Sequence, residues 1–504
     1  MNGLGRRLVT NTLHAATGRV AGLLVWVVFT PAILRALGVE GFGVWSLFYA
    51  LTGYFATLDF GLVQGTVRHV AASREQGRHE EAGAFATLAV LGYLALGALW
   101  ITLSWLLQDA ILGWLRIPGP LEAAARFALL TGAGVFVLAG CANVTMAVAQ
   151  GYGRFDLANR VLLAITFQQA AGFALVLDRR WGLQGLVVNV GIGWALGGVV
   201  GLASLKTALP MYRWGTPRAA FGRLGEALRF GGPMQITNLL AVINLHVDKL
   251  LLSRFVALAL VAPYELGSRV ASGISTLPQL ILLAVLPEAA AMHAAGDRER
   301  LRELYDRGNR YVLTAVAVVF APLLGAGDRL FTVWLGAAHA DAALALRVLT
   351  VGLFFSLATG LGTTVARGIG RTDLETWFAV VTVSLHVALS LWLLPVIGLP
   401  GALIAVLVGT LAGAALFMVL LGRTLEWPLL RTLLGPCVVP LLALGAGGAA
   451  GWAVDRALPA AGGVTGWALL AAVATVAAGV ALTGTIATGY FRWREARSLL
   501  LARG

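Results

Sequence analysis

Charge is scarce in this chain. Only 12% of its 504 residues are charged and 59% are hydrophobic, whereas a soluble domain carries about 25% charged. With a mean hydropathy of +0.83, a water-soluble fold is excluded and the bilayer is the solvent. Cysteine is nearly absent: Cys141 and Cys437 each lie in or beside an apolar run and read as buried thiols, which leaves no disulfide framework. No HExxH, CxxC or GxxxxGK[ST] occurs, so neither a metal site nor a nucleotide site is visible, and transport powered by the chain's own ATP hydrolysis is excluded. The short alternating strands of a membrane barrel are missing as well. So is a small-residue cleavage site after the first apolar stretch, which is therefore expected to be retained.

What the sequence does contain is a succession of apolar stretches long enough to cross roughly 30 Å of hydrocarbon as helices. The expected fold class is all-α integral membrane, with about fourteen spans. Six lie near 13–37, 43–70, 83–107, 125–150, 158–177 and 185–205. Six more lie near 230–254, 261–288, 306–327, 343–367, 374–395 and 402–421, and two near 435–455 and 466–490. Lys and Arg sort between the two sides at about twenty-five against nine, which predicts that both termini face the cytoplasm of a bacterial inner membrane. The formal charge of +13 thus reads as a topology signal and as contacts to anionic headgroups, not as a nucleic-acid surface. Tryptophans such as Trp45, Trp181, Trp214, Trp334 and Trp377 fall near span ends, where the interface favours them.

A duplication is legible. Gln150-Gly-Tyr-Gly-Arg-Phe-Asp-Leu157 recurs as Arg367-Gly-Ile-Gly-Arg-Thr-Asp-Leu374, sharing GxGRxDL. Gly182-Leu-Gln-Gly185 is echoed by Gly398-Leu-Pro-Gly401, and Trp114-Leu115 by Trp334-Leu335, in the same order and at nearly the same spacing. Each half carries six spans, so the copies are expected to be parallel repeats, with a substrate path between them and alternating access by rocking. The expected organisation is a six-helix bundle over 1–205, a basic amphipathic cytoplasmic linker over 206–229, a second six-helix bundle over 230–421, and two accessory helices with a basic cytoplasmic tail over 422–504.

Three stretches carry a family resemblance: Leu37-Gly-Val-Glu-Gly-Phe-Gly-Val-Trp45 leading to Leu58-Asp-Phe-Gly-Leu62, Asn244-Leu-His-Val-Asp-Lys-Leu-Leu-Leu252 followed by Tyr264, and Leu286-Pro-Glu288 leading to Gly296-Asp-Arg298. Here the chain resembles the polysaccharide or oligosaccharide flippase family of the multidrug, oligosaccharidyl-lipid and polysaccharide exporter superfamily. The resemblance implies two six-helix bundles around a V-shaped central cavity and a lipid-linked saccharide as cargo. It also implies movement without covalent chemistry, so no enzyme activity is expected.

An ionisable side chain inside a span costs about 2.5–3.5 kcal/mol on insertion scales, and each one needs a reason. The candidates are Arg19 in span 1, Asp59 in span 2, Asp248 and Lys249 in span 7, and Glu265 and Arg269 in span 8. A polyprenyl phosphate or diphosphate that loses its hydration in a cavity needs cations, and Arg19, Lys249 and Arg269 are the expected phosphate ligands. His246 and Asn238 lie roughly on the same face of span 7 as Lys249 and could serve sugar hydroxyls. Plainer readings stand beside these. Arg19 and Lys249 could snorkel, Glu265 and Arg269 could neutralise each other at i, i+4, Asp59 could cap locally, and His246 could be a satisfied helix residue. No cofactor is expected; proton or sodium coupling through Asp59, Asp248 or Glu265 is left open. Expected partners are the lipid-linked saccharide, membrane lipids, and a glycan polymerase and glycosyltransferases. The alternatives are an organic-cation or multidrug exporter of the same superfamily and a membrane-embedded glycan-assembly enzyme or scaffold.

Overall fold

In the computed structural model of the chain, the described residues are 3–57, 59, 61–282, 285–428, 430 and 435–491. All the regular structure among them is helical. Eleven of these helices are long and apolar enough to cross a membrane, and the chain is an all-α integral membrane protein.

The first helix, α1 (Gly3–Thr57), runs through two expected spans, because the connection anticipated after Leu37 is a single break at Gly38 (φ 70°, ψ 175°). That backbone conformation is open to glycine and strained for other residues. The second expected span is then interrupted. Asp59 Oδ1 accepts the Gly61 N–H at 2.9 Å, and Gly61 turns left-handed (φ 69°) to start α2 (Leu62–Glu75). Next come α3 (His79–Trp114), α4 (Gly119–Gly151), α5 (Phe155–Asp178) and α6 (Gly182–Ala208), which coincide with the third to sixth expected spans. The linker contains a one-turn helix, α7 (Pro217–Phe221), and leads into α8 (Leu224–Phe255). After it come α9 (Val261–Leu282) and α10 (Val285–Ala294). The seventh and eighth expected spans carry charge within them, Asp248, Lys249 and Arg254 on α8 and Glu265 and Arg269 on α9. The chain continues through α11 (Arg298–Gly325), α12 (Gly327–Leu335), α13 (Ala340–Gly368), α14 (Asp373–Ile397), α15 (Leu399–Thr424), α16 (Gly435–Ala457) and α17 (Gly463–Ala487).

Two compact units result, Met1–Ala259 and Leu260–Gly504. Helix α8 therefore packs with the first unit, along α1, although its place in the duplication makes it the first span of the second half. In the first unit, Val70, Phe85, Tyr93, Trp100, Phe136 and Leu157 form the core, and the Phe55 ring stacks on Trp100 at 4.1 Å. Glycines let α6 approach its neighbours: a Cβ on Gly201 would meet Thr145 Oγ1 at 2.0 Å, and one on Gly197 would meet Ile165 Cδ1 at 2.5 Å. In the second unit, α11 begins about two turns earlier than expected. The charged stretch Gly296–Arg310, most of which lies between the eighth and ninth expected spans, buries Leu301, Tyr305 and Asn309, which recur every four residues on one helical face.

The two GxGRxDL segments adopt the same backbone. Gly153 (φ 73°) and Gly370 (φ 78°) end α4 and α13 with the same pair of bonds, Gly153 N–H to Gln150 O at 2.8 Å and Arg154 N–H to Ala149 O at 2.8 Å, matched by Gly370 to Arg367 at 3.1 Å and Arg371 to Ala366 at 2.8 Å. This is the Schellman closure of a helix. In each copy the arginine then grips the aspartate two residues on with both Nε and Nη2, at 2.9 and 2.9 Å for Arg154–Asp156 and 2.8 and 2.9 Å for Arg371–Asp373. The same closure forms at Gly77 and at Gly296.

Candidate functional site

Helix α8 carries a compact group of buried polar side chains. Asp248 is fully buried, Lys249 is 3% exposed and Ser253 is fully buried. Lys249 Nζ lies 3.2 Å from His246 Nδ1. With lysine as an ammonium, Nδ1 accepts and the ring proton sits on Nε2. The imidazole rests on α1 directly over Gly53, where a Cβ would come within 2.7 Å of Nε2, and its ring centroid is 6.0 Å from that of Tyr54. Ser253 Oγ donates to Leu115 O at the end of α3. Toward the other end of α8, Gln235 Nε2 donates to Thr57 O, just before the break in the second expected span. Asn238 is half-buried on this helix. The structure thus brings His246 and Lys249 into contact and sets both beside α1.

Asp59 sits at the break after α1. Its Oδ2 accepts the Tyr93 hydroxyl at 2.9 Å while Oδ1 holds Gly61 N–H. The carboxylate thereby satisfies unwound backbone inside the apolar layer, where an unmet N–H is costly.

In the second unit, Glu265 is 4% exposed and accepts Arg269 Nε at 2.6 Å. The guanidinium is more open than its partner. One face of α9 therefore presents a cation whose counter-charge is buried behind it. Arg19 falls within α1, but its side chain lies outside the described residues.

Two charge arrangements escaped the sequence reading. Arg329, which falls between the ninth and tenth expected spans, is 9% exposed. Its Nε pairs with Asp455, and its Nη atoms donate to Pro459 O at 3.1 Å, Asp455 O at 3.0 Å and Leu458 O at 3.3 Å. It is a structural clamp over the end of α16. Asp109–Arg126 in the first unit, at 2.7 Å, has a counterpart in Asp328–Arg347 in the second. Neither pair shares a motif with the other, so only equal spacing from the GxGRxDL copies could have flagged them. Among the described residues no group of His, Cys, Asp and Glu could hold a metal.

Comparison with known proteins agrees with this architecture. The model of a family described as polysaccharide biosynthesis proteins matches residues 8–293, more than half of the chain. A Shigella flexneri protein described provisionally as an O-antigen transporter is 22% identical over 402 residues, covering 79% of this chain and 94% of its own. Among solved structures, the lipid II flippase MurJ in an inward closed conformation aligns with a TM-score of 0.68 at 14% identity, over 95% of this chain and 98% of that one. An inward-facing multidrug resistance MATE transporter also aligns at 0.68, with 17% identity, over 80% and 94%. At these identities the structural likeness speaks to the fold.

Proposed function

We propose, from the premise that the chain belongs to the polysaccharide biosynthesis protein family, that it is a flippase of that family. Its cargo is a polyprenyl-(di)phosphate-linked oligosaccharide, carried from the cytoplasmic to the outer leaflet for cell-surface polysaccharide synthesis. The observation that carries this reading is Lys249, a nearly fully buried lysine against His246 on a membrane helix. A cation kept inside the apolar layer is costly; attraction for an anionic head group would account for it. The reading is supported by the lipid II flippase and the O-antigen transporter among the similar proteins.

In this mechanism no bond is made or broken. The head group enters from the cytoplasmic side while the tail stays in lipid, and Lys249, Arg269 and Arg19 replace the water that the phosphate gives up. His246 and Asn238 offer hydrogen bonds to sugar hydroxyls. The two six-helix bundles rock to alternate access, with both termini in the cytoplasm. Asp59, Asp248 and Glu265 have structural duties compatible with proton or sodium coupling or with none. Glycosyltransferases that build the cargo and a polymerase that consumes it are the partners this scheme needs.

The test is the leaflet distribution of the lipid-linked oligosaccharide in cells with the protein, without it, and with Lys249→Ala, Arg269→Ala or Arg19→Ala. The deletion strands the cargo on the cytoplasmic face. Lys249→Ala slows transfer roughly 10- to 100-fold, the loss of a charged hydrogen bond of about 1.5–3 kcal/mol. An unchanged distribution in the deletion strain, in a background without a second flippase, overturns the reading. The MATE likeness favours a second reading, an organic-cation exporter; there the deletion sensitises cells to cationic drugs and leaves the glycolipid untouched.

A further inference from the structure

The segment between α6 and α8 is not a loose connection. Gly215 is wedged against α3: a Cβ there would lie 2.4 Å from Ala84 Cα, and one on Gly83 would lie 1.9 Å from Arg213 O. Thr87 Oγ1 donates to Gly215 O at 3.1 Å. Tyr212 and Ala220 join the core of the first unit, and the Tyr212 ring meets Tyr152 edge-on at 6.2 Å. The Thr216 side chain caps α7 by accepting Ala219 N–H at 3.3 Å. Arg223 ties the far end down through Glu81 at 2.7 Å and Glu226 at 3.1 Å. The segment is a strap fixed along the end of α3.

Its other side is unlike a water-facing surface. Met211 is 69% exposed, Phe221 61% and Trp214 40%, and between them stand the exposed Arg213 and Arg218, with Lys206 just before the strap. No Asp or Glu occurs between Asp178 and Glu226. Large apolar side chains interleaved with cations, held rigidly at the end of a membrane helix, match the chemistry of a headgroup layer in which acyl chains begin just below phosphates.

We propose that the strap 209–223 is a docking surface for anionic phospholipid of the inner leaflet, with Met211, Trp214 and Phe221 entering the interface and Lys206, Arg213 and Arg218 contacting headgroup phosphates. The apolar side chains act on any bilayer; the exposed cations, on a strap that itself contains no acid, select a negative one. Preformed by its packing on α3, the surface binds without first ordering a loop.

The experiment uses the purified full chain in detergent and measures phospholipid bound per protein by native mass spectrometry, with phosphatidylglycerol or phosphatidylcholine added at equal concentration. This readout needs no transport, so it stands apart from failure of the flippase reading. Phosphatidylglycerol binds at least tenfold better than phosphatidylcholine. Arg213→Gln with Arg218→Gln lowers its binding roughly 25-fold, about fivefold for each cation. The corresponding double change to Lys keeps it, and Arg300→Gln on α11 leaves it unaltered. Equal occupancy by the two lipids, or wild-type binding by the double Gln variant, overturns the proposal. So does a loss in the double Lys variant as large as in the Gln variant, because packing and not charge would then be responsible.

Discussion

The two units solve one problem in the same way and a second problem differently. Each contains a partly exposed ion pair from an acid to an arginine on the following helix, Asp109 of α3 with Arg126 of α4 in the first and Asp328 in the first turn of α12 with Arg347 of α13 in the second. Immediately after the acid the first unit has Ala110 and the second has Arg329. That one difference coincides with the attachment of α16 and α17, which have no counterpart in the first half. The first unit thus has the surface pair alone, and the second adds next to it a buried guanidinium with four hydrogen bonds that holds the end of α16.

Breaking the clamp is expected to give the largest effect. Arg329→Met takes the donor away from the Asp455 carboxylate and from three carbonyls at the end of α16 and costs about 3–5 kcal/mol; the loss is read as a lower thermal midpoint of the purified protein. Arg329→Met with Asp455→Leu recovers a substantial part of it. If the single change is silent, the clamp does not hold α16. Next in size come the duplicated turns. Gly153→Ala and Gly370→Ala each place a Cβ on a left-handed residue, at about 1–2 kcal/mol. Because the turns match, the two costs should agree within scatter, and a clear inequality in thermal midpoint would show that the copies have diverged in strain. The smallest effect belongs to the ion pairs: Arg126→Gln is expected to leave the midpoint unmoved, as exposed pairs usually do, and Arg347→Gln, which also gives up its Nε bond to Leu324 O, lowers it by the worth of one hydrogen bond, roughly 1 kcal/mol.

The same contrast explains what could be read in advance. The spans and the GxGRxDL turns are local: a run of apolar residues, or a glycine immediately before an Arg-x-Asp fork, fixes its conformation without distant partners. The Glu265–Arg269 pair was legible for that reason, being one helical turn apart. Arg329 was not. Its partners lie 126 to 130 residues away, and by composition alone it is one more cation in an outer loop. His246 was visible as a polar residue on the face of Lys249, but its seat over Gly53 depends on α8 packing along α1, and repeat order had pointed α8 toward the other half. Asp59 stood out as a charge in an apolar run; that it ends one helix and lets another begin needed Tyr93 and Gly61 in place.

Helix α16 meets α11, and α17 meets α16, almost backbone to backbone. A Cβ on Gly325 would lie 2.8 Å from Gly448 O, and one on Gly447 would lie 2.5 Å from Ala477 O. Roughly a hundred residues are synthesised between Gly325 and the start of α16, which at about 5–20 residues per second takes on the order of ten seconds. Throughout that interval the receiving face of α11 is bathed in lipid. A face of Gly and Ala exposes nothing there that a bilayer would reject or a wrong neighbour would grip, and the late Arg329–Asp455 contact then fastens the last helices in place. The order of synthesis is thereby built into the choice of small residues.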